Sequence, residues 1–345
     1  MSLPAFTPTT TADEVATAFA EQIRGRNGAF YAQILEARFL TLNSGAGAGQ
    51  IREPPHNYGL QHREASSDAC YAVSLDCFLI NASRLKLSEA AIKKETPSAN
   101  IRQLVLDLSS LAAVRKAAAE VNAYPEPLHV LIHNAAAGAG EAFKRTVDGL
   151  ETQMATNYIG PFLLTKLLAP KLLAAHSGSY TPRVVVVSSE AHAAAPLDLN
   201  AVAHPNAETY NLLGAYSQSK AASVLFANEL SRRAKGKINA YSLHPGVIYT
   251  NVSKKEGTQA ALIGIGILTP EGLPNLEAAP WKTLGQGAAT TVAAAFDTRL
   301  ESKSGAYLVD SVEANDQMAS HCSDPETAAK LWTVTEEIVG EKFTL

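Results

Sequence analysis

The chain has 345 residues, 46% of them hydrophobic and 18% charged, which excludes a disordered polymer and allows a full core in one α/β domain. A formal net charge of −4 argues against a nucleic-acid surface. The three cysteines (Cys70, Cys77 and Cys322) lack Cys-x-x-Cys spacing and imply neither a disulfide framework nor a zinc site.

The opening MSLPAFTPTTTADEVATAFAEQIRG has no basic stretch leading into an apolar run, so no signal peptide is expected. Residues 27–80 then show no regular rhythm. A nucleotide-binding α/β fold opens with strand, glycine-rich turn, helix and strand in that space. Here Pro54-Pro55, followed by Asn57 and Gly59, interrupts the place of the first helix, and only Asp76–Asn81 reads as a strand. From about residue 100 the pattern becomes regular. Short apolar runs at Gln103–Leu106, His129–Ile132, Val184–Val187, Asn239–Leu243 and Tyr307–Val309 alternate with helical stretches at Ser110–Ala123, Val147–Ala175, Ser217–Ala234 and Gly285–Asp297. Nearly all-apolar strands between helices predict a parallel sheet covered on both faces. Asp324–Gly340 has an Asp cap, a Pro in its first turn and a terminal Gly, the marks of a closing helix. No apolar run approaches the roughly 20 residues that span a bilayer; the longest candidate, Ala260–Leu268, is too short and contains two glycines. A cytoplasmic protein without a membrane span is expected.

Tyr216-Ser-Gln-Ser-Lys220 carries the strongest chemical signal. A four-residue step places both side chains on one helical face. A free phenol, with a pKa of about 10, is a poor acid–base group at neutral pH; a nearby lysine cation, together with the positive nicotinamide of an oxidised cofactor, favours its ionised form. Tyr216 then has the chemistry to take a proton from an alcohol or give one to a carbonyl oxygen. The spacing alone is weak, since exposed helix pairs share it. Its context is stronger. Ser189 follows RVVVVS, at a strand's carboxyl end, where open α/β sheets bind ligands and where a hydroxyl can stabilise developing charge. His133-Asn134-Ala135-Ala136 follows HVLI, and its small residues admit a close backbone approach. Asp107 follows QLVL and reads equally as a ligand contact or as the cap of the next helix. His244-Pro245-Gly246 follows NAYSL and leads to Thr250.

Taken in order, LVLDLSS, LIHNAAA, MATNYIGPFLLTKLL, RVVVVSSEAH, AYSQSKAASVLFANEL and LHPGVIYTNV resemble the short-chain dehydrogenase/reductase family. Within it the chain looks most like the retinol-dehydrogenase and WW-domain-containing-oxidoreductase group. The resemblance implies a single domain over residues 1–345 with a Rossmann-type, doubly wound parallel sheet in three αβα layers and an irregular N-terminal region. It implies a catalytic set of Asn157, Ser189, Tyr216 and Lys220, with Asn157 positioning Lys220 and an ordered water. Asp107 falls on the adenine contact, Asn134 beside the adenine ribose, and Pro245, Gly246 and Thr250 on the nicotinamide carboxamide. Tyr216 and Lys220 also face the cofactor. Residues 252–280 fall on the substrate lid, and the helices around Asn157 and Tyr216 on a homodimer interface.

The family's Thr-Gly-x-x-x-Gly-x-Gly turn has no clean counterpart. In Ser44-Gly45-Ala-Gly47-Ala-Gly49-Gln50-Ile51, preceded by a candidate strand FLTLN, Gly45 and Gly49 have the right spacing, but Ile51 replaces the last glycine. A plain flexible loop is the simpler reading. Asn81-Ala82-Ser83-Arg84 resembles the end of the family's second strand, where Arg84 would take a 2′-phosphate and favour NADP over NAD. The expected function is an NADP-dependent oxidoreductase interconverting a small-molecule alcohol and carbonyl, of lipophilic character given AALIGIGIL in the lid. Two rivals stand beside it: a non-catalytic dinucleotide sensor of the same fold, and the inactive product of an altered gene model around residues 27–75.

Overall fold

The computed structural model describes residues 3–23, 26–31, 74–79, 82–95, 97, 99–138 and 142–345. Ten strands lie among them: β1 (Asn27–Tyr31), β2 (Ser74–Leu79), β3 (Asn100–Val105), β4 (Val130–His133), β5 (Arg183–Val187), β6 (Asn239–His244), β7 (Val247–Ile248), β8 (Trp281–Lys282), β9 (Tyr307–Val309) and β10 (Val312–Glu313). Eight form one sheet in the order β3-β2-β1-β4-β5-β6-β9-β10, with β7 and β8 paired separately. Every pairing is parallel except β9 with β10, whose tight turn places Asp310 and Ser311 at positive φ. The order reverses between β1 and β4, the kind of point at which doubly wound sheets bind dinucleotides.

Both faces of β4 and β5 are buried, and the pleat divides them. Val184 and Val186 of β5 join one apolar cluster and Val185 and Val187 the other; Leu131 of β4 is likewise separated from Val130 and Ile132. The first cluster is closed by helices Leu111–Ala123, Gly160–Ala175 and Leu212–Ala234, the second by Ala12–Ala18 and Leu284–Phe296. Each fully buried large side chain there contributes roughly 1.5–3 kcal/mol, so this two-sided burial dominates the stability of the domain.

The structure moves several expected boundaries. The first strand, Asn27–Tyr31, lies inside the stretch that reads as irregular and pairs with both β2 and β4. Its NGAFY sequence hides it, because Asn, Gly and Ala are poor strand formers. The second strand begins two residues earlier than Asp76. The helix expected from Val147 begins at Thr152, because Glu151 caps it through Gln153 N and Met154 N, and Val147 sits exposed in the preceding turn. The helix expected from Ser217 begins at Leu212, capped by Asn211. The closing helix is as expected: Asp324 accepts from Glu326 N and Thr327 N, Pro325 fills the first position, and Gly340 ends it at φ 75. FLTLN and the Ser44–Ile51 loop lie outside the described residues.

Thr152–Ala175 is one continuous helical segment of 24 residues whose most apolar 18-residue window has a mean hydropathy of 1.2, enough by length and composition alone to cross a membrane. Two thirds of its apolar window is buried within the fold, where Phe162, Leu163, Leu164 and Leu168 pack in the core. Gly160 is required in it: an added Cβ would run into the Leu108 carbonyl oxygen, so the helix can cross the β3 loop this closely only without a side chain.

The outer side of this helix and of Leu212–Ala234 is covered by the chain itself. Trp332 and Phe343 stack with ring centroids 4.8 Å apart, and both rings pack edge-on against Phe162. Tyr158 and Thr335 share a hydrogen bond of 2.6 Å beneath them.

Candidate active site

Asn157, Ser189, Tyr216 and Lys220 converge at the carboxyl ends of β4 and β5. Ser189 lies two residues past β5 and caps the 3-10 turn Glu190–Ala193, its hydroxyl accepting from Ala191 N at 3.2 Å. Tyr216 and Lys220 are one turn apart on Leu212–Ala234, and the Lys220 nitrogen stands 5.6 Å from the centre of the Tyr216 ring. Lys220 is buried, and its ammonium donates to the Val187 carbonyl at 2.9 Å. The Ser188 hydroxyl donates back to the Lys220 carbonyl at 2.8 Å, so helix and strand end are tied by two bonds.

Asn157 lies in a π-helical turn, Ala155–Ile159, a distortion often found where helices carry functional groups. Its Oδ1 accepts from Ala137 N at 2.7 Å, and its Nδ2 donates to Ala137 O at 3.2 Å and to Ser219 Oγ at 2.9 Å. Ser219 in turn donates to the Tyr216 carbonyl at 2.8 Å. Asn157 therefore locks the loop after β4 to the Tyr216 helix, and its side-chain bonds run to Ala137 and Ser219 rather than to Lys220. The sequence reading misses Ser219. Its signal was the second serine inside Tyr-Ser-Gln-Ser-Lys, a buried hydroxyl one residue before the lysine.

In the chain by itself, burial sets the electrostatics of the pair. Burial pushes the Tyr216 phenol above its ordinary value, and a hydrogen bond with the Ser189 side chain pulls part of the way back. Burial also pushes Lys220 down, to about 8.

Asn134 follows β4 directly, and His133 before it is buried, its Nε2 2.7 Å from Thr165 Oγ1. Burial drives the His133 ring down to about 3, so it is a neutral packing group. Asp107 follows β3, but the helix cap is Ser110, which accepts from Ala113 N; the Asp107 carboxylate bonds the Ser109 backbone and hydroxyl. Pro245, Gly246 and Thr250 follow β6. Gly246 has φ 92, and an added Cβ would stand 2.5 Å from Lys282 Cδ, so only glycine fits this turn. Lys282 pairs with Asp310 and thereby ties the turn to the β9–β10 hairpin. Arg84 falls in the first turn of the Ala82–Glu95 helix after β2, and its side chain lies outside the described part. Gly45 and Gly49 also lie outside the described residues. Among the described residues no cluster of metal-ligating side chains occurs.

Segment 252–280 comprises the 3-10 turn Val252–Lys254, the helix Glu256–Gly264 and a connection leading to β8. It reaches back to the loop after β4, since a Cβ on Gly138 would stand 2.8 Å from both Val252 and Thr258. Ile265, Leu273 and Leu276 are exposed on it.

The short chain dehydrogenase family profile matches residues 65–261. The WW domain-containing oxidoreductase of Danio rerio is 32% identical over 298 residues, spanning 84% of this chain and 68% of the relative. The short-chain dehydrogenase/reductase prx1 of Penicillium rubens is 33% identical over 262 residues, spanning 73% of this chain and 74% of the relative. An uncharacterized protein from Mycobacterium paratuberculosis superposes with a TM-score of 0.63 at 23% identity, over 94% of this chain and 96% of that one. A short chain dehydrogenase from Escherichia coli CFT073 complexed with NADPH gives a TM-score of 0.55 at 16% identity, over 84% and 98%. The structural likeness agrees with the Rossmann-type sheet, and the sequence matches agree with the motifs from LVLDLSS onward: the chain belongs to the short-chain dehydrogenase family of oxidoreductases.

Proposed function

We propose that the chain interconverts an alcohol and a carbonyl compound with NADP(H), using Tyr216 as the proton-transfer group. The observation that supports this best is the convergence of Tyr216, the Ser189 hydroxyl and the Lys220 ammonium at one strand end. Tyr216 donates to or accepts from the reacting oxygen, and Ser189 hydrogen-bonds the same oxygen as charge develops. An ammonium has three donors, and the Val187 carbonyl takes one, which leaves Lys220 able to hold ribose hydroxyls beside the phenol. Asn157 keeps the loop after β4 and the Tyr216 helix in register.

The residues present fit the nicotinamide half of a dinucleotide: the Gly246 turn, at φ 92, closes the carboxyl end of β6, next to the end of β5 and two strands from β4, whose pairing with β1 marks the reversal of the sheet order. When bound, the nicotinamide supplies or accepts the hydride. Asp107 and Asn134 would hold the adenine side, and Arg84, in the turn after β2, would meet the 2′-phosphate and favour NADP over NAD. The NADPH in the Escherichia coli relative agrees with that choice. Segment 252–280 serves as the lid, and its exposed Ile265, Leu273 and Leu276 suit a lipophilic substrate. A homodimer through the helices carrying Asn157 and Tyr216 is the assembly the family resemblance favours; part of their outer side, at Phe162, is covered by Trp332 and Phe343 of the same chain. The buried free thiol of Cys322 suits a cytoplasmic setting.

The phosphate-binding turn is the weak part. Such a turn directly follows the first strand, whereas β1 ends at Tyr31 and Gly45 comes much later. The family profile also begins only at residue 65. These observations favour a second reading, a dinucleotide-binding protein without turnover. Fluorescence titration with NADPH, followed by assay on a panel of lipophilic ketones and aldehydes, separates the two. Binding with turnover supports the enzyme, binding without turnover the sensor, and no binding an inert fold.

A further inference from the structure

His192 stands three residues beyond Ser189 and is 1% exposed, with no part in the proton transfer described above. Both of its ring nitrogens are nevertheless engaged. Nδ1 lies 2.7 Å from the Ser189 carbonyl oxygen, and Nε2 lies 3.1 Å from the Ala319 backbone nitrogen. A carbonyl only accepts and a backbone N–H only donates. Nδ1 therefore carries the proton and Nε2 the lone pair, so the partners select one neutral tautomer. The other tautomer breaks both bonds, and an imidazolium turns an N–H against the Ala319 N–H. Burial acts in the same direction by disfavouring the charged ring.

The surroundings hold the ring where these bonds need it. Tyr307 packs on it with centroids 4.9 Å apart, and the His192 carbonyl meets His321 Nε2 at 2.9 Å. Tyr307 and Cys322 pack in turn on Ala221 and Val224, which lie just beyond Lys220 on the same helix. Ser189 is thus gripped from two sides: its carbonyl by His192, and the neighbouring Ser188 hydroxyl by Lys220.

We propose that His192 is a positioning residue for Ser189. Its Nδ1–H holds the Ser189 carbonyl, the Ala319 N–H fixes the tautomer able to do so, and segment 315–322 thereby sets the aim of the Ser189 hydroxyl. The catalytic consequence rests on the alcohol–carbonyl reading of the site; the tautomer rests on geometry alone. A hydroxyl that stabilises charge must be placed closely, and modest misplacement of such a group costs on the order of 10–100-fold in rate.

The test has two arms on the full chain. A proton–nitrogen ring correlation spectrum of isotope-labelled protein, with His192 assigned by its loss in His192→Gln, is expected to show a neutral Nδ1–H ring at neutral pH. A charged ring or the Nε2–H tautomer overturns the proposal, whether or not the chain turns over any carbonyl. In the kinetic arm, His192→Phe keeps an aromatic ring and removes both bonds, while His192→Gln offers one donor and one acceptor. The expected result is a kcat lowered roughly 10–100-fold in the Phe variant, with carbonyl KM and NADPH affinity within about twofold, and most of kcat restored by Gln. Unchanged kcat per folded molecule, with only a lower melting temperature, assigns His192 to packing and overturns the proposal. Should the Phe variant fail to fold, Ala319→Pro breaks the same bond from the other side. Ala319 has φ −60 and Met318 ψ 129, which proline accepts, and its ring carbon replaces the donated N–H. Unchanged kcat there overturns the proposal equally. A wild-type chain without turnover refutes the alcohol–carbonyl reading and leaves the ring spectrum to decide this one.

Discussion

Lys220 donates to the carbonyl of Val187, the last residue of β5, and this bond fixes where its ammonium stands. The cation sits at a strand end, 5.6 Å from the centre of the Tyr216 ring. Burial and not the lysine then dominates the phenol, which stays protonated well into alkaline conditions. Under the proposed function, a protonated Tyr216 is the form that donates to a carbonyl oxygen.

Tyr216→Phe is expected to lower turnover by at least about 100-fold. It removes the proton-transfer oxygen and almost no packing volume, so NADPH affinity and melting temperature should stay near wild type. Steady-state kinetics beside a fluorescence titration check this, and substantial residual activity would sink the assignment.

Lys220→Met is expected to abolish activity while raising stability at neutral pH. The folded-state value of Lys220, about 8, lies below its unfolded value of 10.5. Below about pH 8 the native state holds a buried cation at a cost. Between about 8 and 10.5 the unfolded chain binds the extra proton, and wild-type stability gains with rising pH. The stability advantage of the Met variant should therefore shrink across that window. Denaturant titrations at neutral pH and above pH 10 measure it, and a constant difference would contradict the assigned shift.

Gly246→Ala should weaken NADPH binding and destabilise the fold by roughly 1–3 kcal/mol. Its φ of 92 and the Lys282 stem both oppose a side chain. Wild-type affinity in this variant would show that the turn after β6 does not approach the cofactor.

Arg84→Ala should remove most of the NADPH-over-NADH preference, through loss of a charge-assisted partner for the 2′-phosphate. Paired titrations with both cofactors decide it. Equal affinities in the wild type would place Arg84 elsewhere.

Trp332→Ala should cost roughly 3–5 kcal/mol, the range for truncating a large buried aromatic ring. The ring is 1% exposed and packs on Phe162, Phe226 and Phe343. Uncovering those rings should also make the chain self-associate, which light scattering would detect.

The sheet from β3 onward was legible because each strand is apolar on both faces and each helix carries its own cap, as Ser110 and Asp324 show. The grouping of Ser189, Tyr216 and Lys220 was legible because strand ends and a four-residue step are local features. What escaped was non-local or masked by composition. NGAFY becomes a strand only through its two parallel neighbours. The start of Thr152–Ala175 depends on the Glu151 cap rather than on periodicity, which extends back to Val147. The roles of Ser219 and His192 arise from partners 62 and 127 residues away, Asn157 and Ala319 respectively, and no sequence window holds both.

The aromatic cover on Phe162 and Phe226 also has an order in time. A ribosome makes both helices well before it makes Trp332 and Phe343, so Phe162 and Phe226 lack that aromatic cover until the Pro325–Val339 helix has been made. Packing of the Asn157 and Tyr216 helices is therefore completed late, when that helix docks.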